Sequence, residues 1–537
     1  MKYIFIVGGP ISGLGKGITA SSIGYILKQH GKLVTMIKVD PYLNKCAGTI
    51  GPLEHGEVYV TRDGAETDLD IGNYERFLDI SLSKNNSITT GKIYKIIADK
   101  EKNLHFSGKT IQLIPHFRDE IITQIENGAN YIPEPYTEKP DICIVEIGGT
   151  VGDMEHDIYM HSIKRMEQKL GKNNVTVIFV GLLYKMGTEY KTKPIQNSVK
   201  ELGKFSINPD FMVVRSETNF IETDIIPKLS LSCNILEENI IRCPDQISVY
   251  HVPGLFIKQG FNKSILSYLY NTNLDGYTCI NTMDRHASFF ANRKLNPNKI
   301  KVAVVGKYHD KDDTYLSIMK ALMHVECLQN RVVEIVGINT DGDIHYDELD
   351  DVSGILIPGG FGTRGIEGII SIIKYAREEK KPLLAICLGF QAMIIEVLRN
   401  KGINASSSEF STSDTSINVI ELNSKDSRGN TMRLGEKEVT ITKCSSLSRI
   451  YDTDNNIFER FRHRYKLGKK YESYLNDVLK ISARNKIDKS VVGVEYPNGM
   501  GIGVQYHPEF LSRLSKPSPP FVDFVNKSFK YSKKLIK

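Results

Sequence analysis

Short apolar runs recur along this chain, and they constrain its fold more than any other feature. In the first half the runs cover 3–7, 33–39, 142–147, 175–183 and 211–214, and helical patterns separate them. Each run is rich in β-branched residues and nearly continuous in apolar character, which is typical of strands in a parallel sheet covered on both faces. The first half is therefore predicted to be a doubly wound α/β domain with a parallel sheet.

A second series of apolar runs follows a polar connector that contains Pro297. The runs cover 302–305, 332–336, 354–357 and 383–386, and they predict a second doubly wound α/β domain. A chain of 537 residues is long enough for more than one core. The predicted organisation is a first domain at 1–275, an interdomain linker at 276–299, a second domain at 300–530 and a basic tail at 531–537.

Composition excludes several classes of protein. Charged residues make up 25% of the chain and the formal net charge is only +6, which argues against a dedicated nucleic-acid binder. The longest apolar run, 175–184, is about half of the ~20 residues that cross a bilayer, so no membrane partner is expected. Eight cysteines without CxxC pairs indicate neither a zinc site nor a disulfide framework, and they favour a reduced, cytoplasmic protein. The Ser-rich stretch 404–416 is predicted to be a loop or surface segment.

A glycine-rich turn, "GGPISGLGKGITASS" at 8–22, joins the first predicted strand to a predicted helix. Such a turn wraps backbone N–H groups around a phosphate, with Lys16 as a cation beside it. The usual pattern places Ser or Thr directly after the lysine to hold Mg²⁺, but this chain has Gly17 there. The alternative is a tight turn that needs glycine for backbone reasons alone.

Two acidic residues can replace the missing hydroxyl. Glu146 ends one predicted strand, and Asp70 lies in the acidic stretch 63–77. Ligands of open parallel sheets collect beyond the carboxyl ends of the strands, and Mg²⁺ prefers few carboxylates together with phosphate oxygens and water. The alternative for Asp70 is a solvated acid. Stretch 190–202 carries Lys191, Lys193 and Gln196 on a predicted loop before a helix, and these cationic and amide groups suit a triphosphate and a base edge. From spacing alone, a solvated loop is the preferred interpretation.

Cys387 lies between a predicted strand and a helical pattern, where the helix N-terminus favours a nucleophilic thiolate. His507 and Glu509 supply a proton acceptor and a carboxylate that orients it, as a catalytic triad requires. The glycine-rich stretch 357–365 and the Leu388 N–H can bind an oxyanion. Most free cysteines are buried apolar residues, and the sequence alone does not show that Cys387 and His507 meet.

Longer motifs in a fixed order extend these observations from about residue 2 to about residue 525. They include "EHGEVYVTRDGAETDLDIGNYERF", "EIGGTVGDMEHD", "KTKPIQNSVKEL", "VGKY", "PGGFGTRG", "AICLGFQ", "TMRLG", "RHRY" and "QYHPEFLSRLSKPSPP". The chain resembles the CTP synthase family, whose members use glutamine to aminate UTP. Details such as "NNSITTGKIY" resemble its eukaryotic members most.

The resemblance implies a set of nucleotide contacts in the first half. It places Asp70 and Glu146 on Mg²⁺, Lys16 on the ATP phosphates, and Lys38 nearby. The phosphate-loop contacts for UTP and ATP are Ser12, Gly13, Leu14, Gly15, Lys16, Gly17 and Ile18. The pyrimidine-nucleotide contacts are Asp153, Met154, Glu155, Lys191, Thr192, Lys193, Pro194, Ile195, Gln196 and Lys228. The adenine-side contacts are Pro244, Asp245 and Gln246.

In the second half the resemblance implies a Cys387–His507–Glu509 triad and a glutamine site. The glutamine contacts are Gly360, Leu388, Gly389, Phe390, Gln391, Glu409 and Arg464. Glu409 suits the α-ammonium group and Arg464 the α-carboxylate, although Glu409 alone resembles an ordinary acid in a Ser-rich loop. The chain departs from the family pattern at Lys45, Cys46, Gly51 and Lys466, none of which is expected to do chemistry.

The resemblance further implies a class I glutamine amidotransferase fold for the second domain and a P-loop-like fold for the first. It implies ATP as co-substrate, Mg²⁺, UTP and L-glutamine as ligands, GTP as activator, CTP as product and inhibitor, and homotetramers that can stack into filaments. Two alternatives remain open at this stage. One is a catalytically silent scaffold that keeps only the assembly surfaces. The other is an ATPase fused to an amidotransferase that aminates a different acceptor.

Overall fold

The computed structural model describes residues 1–218, 224–271, 282–307, 312–342, 344–411, 415–423 and 432–535. The chain forms two compact units. The first unit contains Met1–Ile50 and Glu66–Ala291, and the second contains Gly51–Ala65 and Asn292–Lys537. The early segment Gly51–Ala65, called the arm below, thus belongs to the second unit. The predicted first domain, 1–275, had included this segment.

Eleven strands lie in the described part of the chain up to Ala291. They are β1 (Lys2–Gly9), β2 (Val34–Asp40), β3 (Tyr59–Val60), β4 (Glu66–Thr67), β5 (Ser87–Thr89), β6 (Ile142–Ile147), β7 (Val175–Leu182), β8 (Tyr184–Met186), β9 (Glu189–Lys191), β10 (Phe211–Ser216) and β11 (Ile240–Pro244). The helices of the same part are α1 (Lys16–Gln29), α2 (Pro52–His55), α3 (Leu69–Leu78), α4 (Thr90–Lys102), α5 (Arg118–Ala129), α6 (Asp157–Leu170), α7 (Lys193–Gly203), α8 (Ile225–Cys233), α9 (Val252–Lys258), α10 (Phe261–Tyr270) and α11 (Thr282–Ala291).

The first unit is built on a seven-stranded parallel sheet in the order β11-β10-β7-β1-β6-β2-β5. The five strands predicted in the first half are all present, because their β-branched runs are buried on both faces of this sheet. Strand β1 lies at the centre of the sheet, and its residues Phe5 and Val7 belong to a core that also includes Val145 of β6 and Phe179 of β7. The glycine loop after β1 therefore starts at the carboxyl edge of the sheet.

The second unit contributes the remaining elements, which follow in chain order. Its strands are β12 (Lys299–Gly306), β13 (Val332–Asn339), β14 (Gly354–Ile357), β15 (Leu383–Ile386), β16 (Ala405–Ser407), β17 (Ile417–Leu422), β18 (Arg433–Ile441), β19 (Asn456–His463), β20 (Tyr465–Leu467), β21 (Lys480–Asn485), β22 (Val491–Glu495) and β23 (Gly501–Val504). Its helices are α12 (Leu316–Gln329), α13 (Tyr346–Asp350), α14 (Ile366–Glu378), α15 (Leu388–Asn400), α16 (Ser446–Tyr451) and α17 (Pro519–Leu535).

The nine-stranded sheet of the second unit is mixed. Strands β13-β12-β14-β15-β23 are parallel, and the four predicted strands of this half are among them. The sheet then continues as β22-β21-β18-β19 with antiparallel pairing, which the sequence analysis does not predict. Both faces are covered, since Val305 packs into one core while Val304 packs into the other.

Three segments that were predicted to be a loop, a linker and a tail contain regular secondary structure. The Ser-rich stretch 404–416 is not a loop throughout, because Ala405–Ser407 forms the buried strand β16, which pairs with β17. Residues 412–414 of that stretch lie outside the described residues. Within the predicted linker 276–299, helix α11 buries Phe290, and 276–281 lie outside the described part. Most of the predicted tail, 531–535, continues α17, and none of the described helices is long and apolar enough to span a bilayer.

Candidate functional site

The glycine loop after β1 shapes a cradle at the start of α1. Gly13 and Gly15 have φ angles of 73° and 79°, which lie in the left-handed region that glycine occupies without strain. Lys16 is the first residue of the helix and is buried, and its Nζ donates to the Gly149 carbonyl at 2.6 Å. Burial lowers the pKa of Lys16, although Glu146 acts in the opposite direction. Backbone N–H groups at a helix N-terminus with a buried cation are typical of a phosphate site.

The contact between Gly17 and Asp70 explains why no Ser or Thr follows Lys16. A Cβ at this position would lie 2.0 Å from Oδ1 of Asp70, so any side chain there would collide with that carboxylate. Asp70 is held in place from α3, where its backbone N–H is capped by Asp68 at 2.8 Å. The Asp70 carboxylate thus occupies the space in which the loop's Ser or Thr would otherwise stand. The glycine and the acid form one complementary pair.

Four carboxylates surround Lys38 next to this pair, and Lys16 is a second cation that interacts with Glu146, Asp70 and Asp40. The Lys38 Nζ lies 2.5 Å from Asp70, 3.0 Å from Glu146, 3.8 Å from Asp40 and 4.0 Å from Asp68. Burial and the neighbouring carboxylates raise the pKa of Asp70 to about 7 and that of Asp40 to about 8, although Lys38 lowers both. The excess of buried negative charge favours a further cation at this place.

Mg²⁺ fits this donor set. The described residues contain no group of three His, Cys, Asp or Glu side chains that would hold a metal by themselves. Two carboxylates, Asp70 and Glu146, leave the rest of the shell to phosphate oxygens and water, which is the coordination that Mg²⁺ prefers. The buried hydroxyl of Tyr74 donates to the second oxygen of Glu146 and so orients that carboxylate.

The predicted pyrimidine contacts lie on the surface of the first unit, with two exceptions. Asp153, Met154 and Glu155 are exposed, and Lys228 is exposed as well. Lys191 ends β9, whereas Lys193 begins α7 and Gln196 lies within it, so 190–202 is not the predicted loop followed by a helix. The buried residues are Thr192, whose hydroxyl accepts from Gln196 at 3.1 Å, and Ile195, which packs in the core. Pro194 occupies the first turn of α7.

The predicted adenine side is connected to the glycine loop by Arg215, which sequence reasoning missed. Arg215 lies in β10 and donates to Asp245 at 2.5 Å, and its Nη1 would lie 3.5 Å from a Cβ of Gly15. Pro244 ends β11 directly before Asp245, and the Gln246 amide donates back to the Pro244 carbonyl. Arg215 carried no local signal, because the sequence does not show which strands are neighbours in the sheet.

Cys387 occupies a strained turn between β15 and α15. Its φ and ψ angles are 52° and −98°, an unusual conformation for a residue with a side chain. Its N–H donates to the Val504 carbonyl at 2.8 Å, and its Sγ lies 3.5 Å from the Arg462 carbonyl. Leu388 is the first residue of α15, so its N–H has no acceptor within the helix and is available to an oxyanion.

His507 and Glu509 meet beside this cysteine. The Nδ1 of His507 lies 2.6 Å from Oε1 of Glu509, which fixes the orientation of the imidazole ring. A Cβ at Gly359 would lie 3.5 Å from His507 Nε2 and 3.4 Å from Cys387 Cβ, so the two side chains flank the same glycine. Burial lowers the pKa of His507, but Glu509 and the Cys387 sulfur raise it, and the result is a pKa of about 10. Such a charged imidazole favours a thiolate partner.

The predicted glutamine residues surround the same turn. Glu409 accepts from the Gly362 N–H at 2.8 Å, and burial raises its pKa while Lys307 and Arg464 lower it. Gly360 lies against Leu388, since a Cβ there would be 3.2 Å from the leucine side chain. Oε1 of the buried Gln391 has no hydrogen-bond partner among the described residues. An ammonium-binding acid, a guanidinium and a free amide oxygen suit an amino-acid ligand.

The remaining two predicted glutamine residues support the turn by packing. A Cβ at Gly389 would lie 2.8 Å from the Ile357 carbonyl, so only glycine lets α15 approach β14 this closely. Phe390 is fully buried in the core. The Phe390 side chain is buried and Gly389 has none, so the two residues shape the turn by packing.

Comparison with known proteins decides the family. The sequence model described as "CTP synthase N-terminus" matches residues 2–270, and the one described as "Glutamine amidotransferase class-I" matches residues 312–527. CTP synthase of Methanococcus maripaludis is 43% identical over 98% of this chain and 99% of its own length. CTP synthase of Drosophila melanogaster is 40% identical over 98% of this chain and 87% of its own length.

The chain belongs to the CTP synthase family. As a member it is an enzyme, a glutamine-dependent ligase. The identities do not single out the eukaryotic relatives, although a few motifs resemble them. Among solved structures, the glutaminase domain of Trypanosoma brucei CTPS with bound acivicin aligns with 43% of this chain and 94% of its own at 31% identity and a TM-score of 0.41.

Besides Arg215, two residues near the family's expected sites were not predicted from the sequence. Lys307, from the "VGKY" motif, is buried and donates to the carbonyls of Gly362 and Arg364 at 3.0 Å each, which shapes the loop that faces Glu409. His156 is fully buried beside Gly149, and burial lowers its pKa to about 3. Lys307 is part of the "VGKY" motif, so the sequence could have indicated its role. The burial of His156 could not be predicted from the sequence.

The departure at Lys466 forms a local ion pair. Its Nζ lies 3.3 Å from Asp488, an acid that Arg433 also contacts at 2.5 Å. Arg433 and hydrogen bonds from Ser490 hold the pKa of Asp488 well below its usual range, against the effect of burial. Lys466 thus shares one carboxylate with Arg433, so its positive charge is only partly balanced.

Proposed function

We propose that this chain makes CTP from UTP, with ATP as the phosphoryl donor and L-glutamine as the nitrogen source. The observation that carries the proposal is the meeting of Cys387, His507 and Glu509 at one turn, in a chain that also holds a phosphate cradle. A nucleophile with its oriented base makes ammonia from an amide. The cradle with its acidic cluster activates the acceptor by phosphorylation. One half alone would not account for both sets of residues.

In the second unit, the Cys387 thiolate attacks the side-chain amide carbon of glutamine. The N–H groups of Leu388 and Gly360 stabilise the oxyanion, and the His507 imidazolium gives its proton to the leaving nitrogen. Ammonia departs and a thioester on Cys387 remains. Water, deprotonated by the now neutral His507, hydrolyses that thioester to glutamate. Glu409 and Arg464 hold the α-ammonium and α-carboxylate groups during both steps.

In the first unit, O4 of UTP attacks the γ-phosphoryl group of ATP. Lys16 and the glycine loop bind the transferred phosphate, and Asp70 and Glu146 hold Mg²⁺, which supplies charge neutralisation on the phosphates. The phosphorylated O4 is then a leaving group, and ammonia displaces it as phosphate to give CTP. Half-buried Lys191 and exposed Lys193 and Lys228 supply cationic groups for the pyrimidine triphosphate.

Regulation and assembly are further parts of the proposal. CTP binds where UTP binds, with Asp153, Met154 and Glu155 contacting the part of the nucleotide that distinguishes product from substrate. GTP activates the glutaminase half, and the chain works as a cytoplasmic homotetramer that can stack into filaments. These expectations follow the resemblance of the motifs, and no nucleic acid or membrane takes part.

A screen of acceptor nucleotides tests the proposal. The purified chain is incubated with ATP, Mg²⁺, glutamine and one acceptor at a time, and products are separated by chromatography. We expect an aminated product with UTP that coelutes with CTP, and none without ATP or glutamine. Product only with a different acceptor would support an amidotransferase of another specificity. No product with any acceptor, and no glutamate release, would support the silent scaffold.

A further inference from the structure

The catalytic histidine is supported by residues from opposite ends of the chain. The backbone N–H of His507 donates to the Arg460 carbonyl at 2.8 Å. The His507 ring stacks on the Phe510 ring, with centroids 5.1 Å apart and an interplanar angle of 16°. Two separate residues therefore fix the backbone and the ring plane of the same imidazole.

Tyr59 of the arm joins these two supports. Its hydroxyl accepts from Nη1 of Arg460 at 2.8 Å and donates to the Phe510 carbonyl at 3.0 Å. Its ring also packs edge-on against Phe510, with centroids 5.0 Å apart. Tyr59, Arg460, Phe510 and His507 thus form a closed circuit of contacts, called the histidine frame below.

The frame is buried, and the arm that supplies Tyr59 is held by hydrogen bonds and an ion pair on both sides of it. Tyr59 and Arg460 are fully buried, and Phe510 is 2% exposed. Before Tyr59, the Glu57 carboxylate accepts from the backbone N–H and the hydroxyl of Ser317 at 3.0 and 2.5 Å. After it, Arg62 forms an ion pair with Glu436 at 2.9 Å. These buried hydrogen bonds hold their members in one geometry, because a displacement of Tyr59 or Arg460 breaks a hydrogen bond in a buried setting.

We infer that Tyr59 is a positioning residue for His507, so that a residue from the sequence of the synthase half completes the glutaminase site. This inference rests on the proposed Cys387–His507–Glu509 chemistry and adds a residue that the resemblance does not place in either site. The hydrogen bonds of the Tyr59 hydroxyl join it to Arg460 and Phe510. It acts through Phe510 and Arg460 on the ring that transfers the proton.

The alternative is that Tyr59 is an ordinary core residue with a satisfied hydroxyl. The two roles differ in what they change. A core residue contributes to stability, and its loss lowers the melting temperature without a selective effect on one step. A positioning residue contributes to the proton transfer, so its loss lowers kcat while the KM for glutamine, which Glu409 and Arg464 determine, stays nearly constant.

The test uses the full-length chain with Tyr59→Phe, which keeps the ring and removes only the hydroxyl. Tyr375→Phe is the matched control, since its hydroxyl donates to Asp350 in the same unit and outside the frame. We expect Tyr59→Phe to lower kcat for glutamine hydrolysis by about tenfold, a fraction of what proton transfer by a positioned group contributes. The KM for glutamine should stay within about twofold, and ammonia-dependent CTP formation should not change.

Arg460→Lys is the second variant, because lysine cannot reproduce the guanidinium contacts to the Tyr59 hydroxyl and the Val60 carbonyl together. The same loss of kcat at constant KM supports the inference. Unchanged kcat in both variants would overturn it, as would a fall of glutaminase and ammonia-dependent synthesis together with the melting temperature. Cys387→Ala is assayed alongside. If Cys387→Ala still hydrolyses glutamine, the proposed chemistry is overturned. If Cys387→Ala loses glutamine hydrolysis while Tyr59→Phe and Arg460→Lys keep full activity, only the positioning role of Tyr59 is overturned.

Discussion

At the scale of single residues, the glycine after the loop lysine is the most informative position in the first unit. The usual hydroxyl is absent because a carboxylate from α3 fills its space, with Asp70 Oδ1 only 2.0 Å from where a Cβ of Gly17 would lie. From the sequence, Asp70 and Glu146 were predicted as the replacement, but the direct exclusion of a side chain at Gly17 was not. It depends on a contact between residues 53 positions apart.

Gly17→Ser tests this complementarity. The serine side chain has to displace Asp70, so we expect ammonia-dependent CTP formation to fall by at least about a hundredfold, as loss of a catalytic metal ion predicts. Glutamine hydrolysis should continue at its basal rate. Gly203→Ser is the control, because a Cβ there meets nothing within 4 Å. Normal ammonia-dependent synthesis in Gly17→Ser would contradict the assignment of Asp70 to the metal.

The charge on His507 gives a second prediction at this scale. Glu509 and Cys387 raise the pKa of His507 to about 10 against the effect of burial, so the imidazolium is present throughout the neutral range. Its contribution to folding stability is complete below pH 6.5 and is lost as the pH rises through about 10. Glu509→Gln removes the larger of the two favourable charges, so the imidazole becomes neutral at lower pH.

The measurement is the rate at which iodoacetamide alkylates Cys387 between pH 6 and 9, with Cys387→Ala as the blank for the other cysteines. In Glu509→Gln the thiolate loses its counter-charge, and we expect alkylation at pH 7.5 to slow by about tenfold. The half-maximal rate should move to higher pH. Coincident profiles of the parent and the variant would show that Glu509 does not control the charge of His507.

At the scale of elements, burial decided which parts of the fold the sequence could predict. Nine apolar runs predicted strands, and all nine are strands. All but the edge strand β13, which exposes Ile335, are buried along most of the predicted run. Among the antiparallel strands, β18 was not predicted because it has no continuous apolar run. Its half-buried Arg433 and Glu436 precede buried Val439 and Ile441 in the same strand. Ser406 and Ser407 of β16 were taken for a loop, because small polar residues give the same pattern in both settings.

In the candidate site, the sequence predicted which residues take part but not which of them are in contact. Cys387, His507 and Glu509 could be chosen by residue type and motif, but their meeting depends on the pairing of β15 with β23, which no local pattern shows. Arg215 and Tyr59 were missed for that reason. Tyr59 reaches its partner Arg460 across 401 positions. Non-local contacts of this kind are visible only once the chain is folded.

The start of α15 carries the prediction that belongs to this scale. Gly389→Ala places a Cβ 2.8 Å from the Ile357 carbonyl, and backbone cannot move aside as a side chain can. The first turn of α15 must shift, and the Leu388 N–H moves away from the oxyanion. We expect glutamine hydrolysis to fall by roughly a hundredfold, the usual cost of one lost oxyanion donor.

Ammonia-dependent CTP formation is the internal control for Gly389→Ala, and it should stay near the parent rate. Gly51→Ala is the external control, because a Cβ there meets nothing within 4 Å. Full glutaminase activity in Gly389→Ala would remove the Leu388 N–H from the proposed oxyanion site.

At the scale of the whole molecule, two chemistries are assigned to two units, each with its own core and its own polar site. The first unit contains Lys16, Asp70 and Glu146, and the second contains the cysteine triad. The arm is the exception, since it lies early in the sequence and belongs to the second unit. The account therefore predicts that the two activities can be separated by substitution, also at Tyr59 of the arm, which acts on the second unit alone.

Cys387→Ala tests that central claim most directly. The measurement is CTP formation from UTP and ATP with ammonium salt or with glutamine, side by side, on a variant shown to keep the parent's oligomeric state. Because the substitution removes only the nucleophile that opens the amide, we predict close to the parent rate with ammonium and almost no CTP with glutamine. Glutamine-dependent synthesis that persists in Cys387→Ala would contradict the account, because the nucleophile would then lie elsewhere.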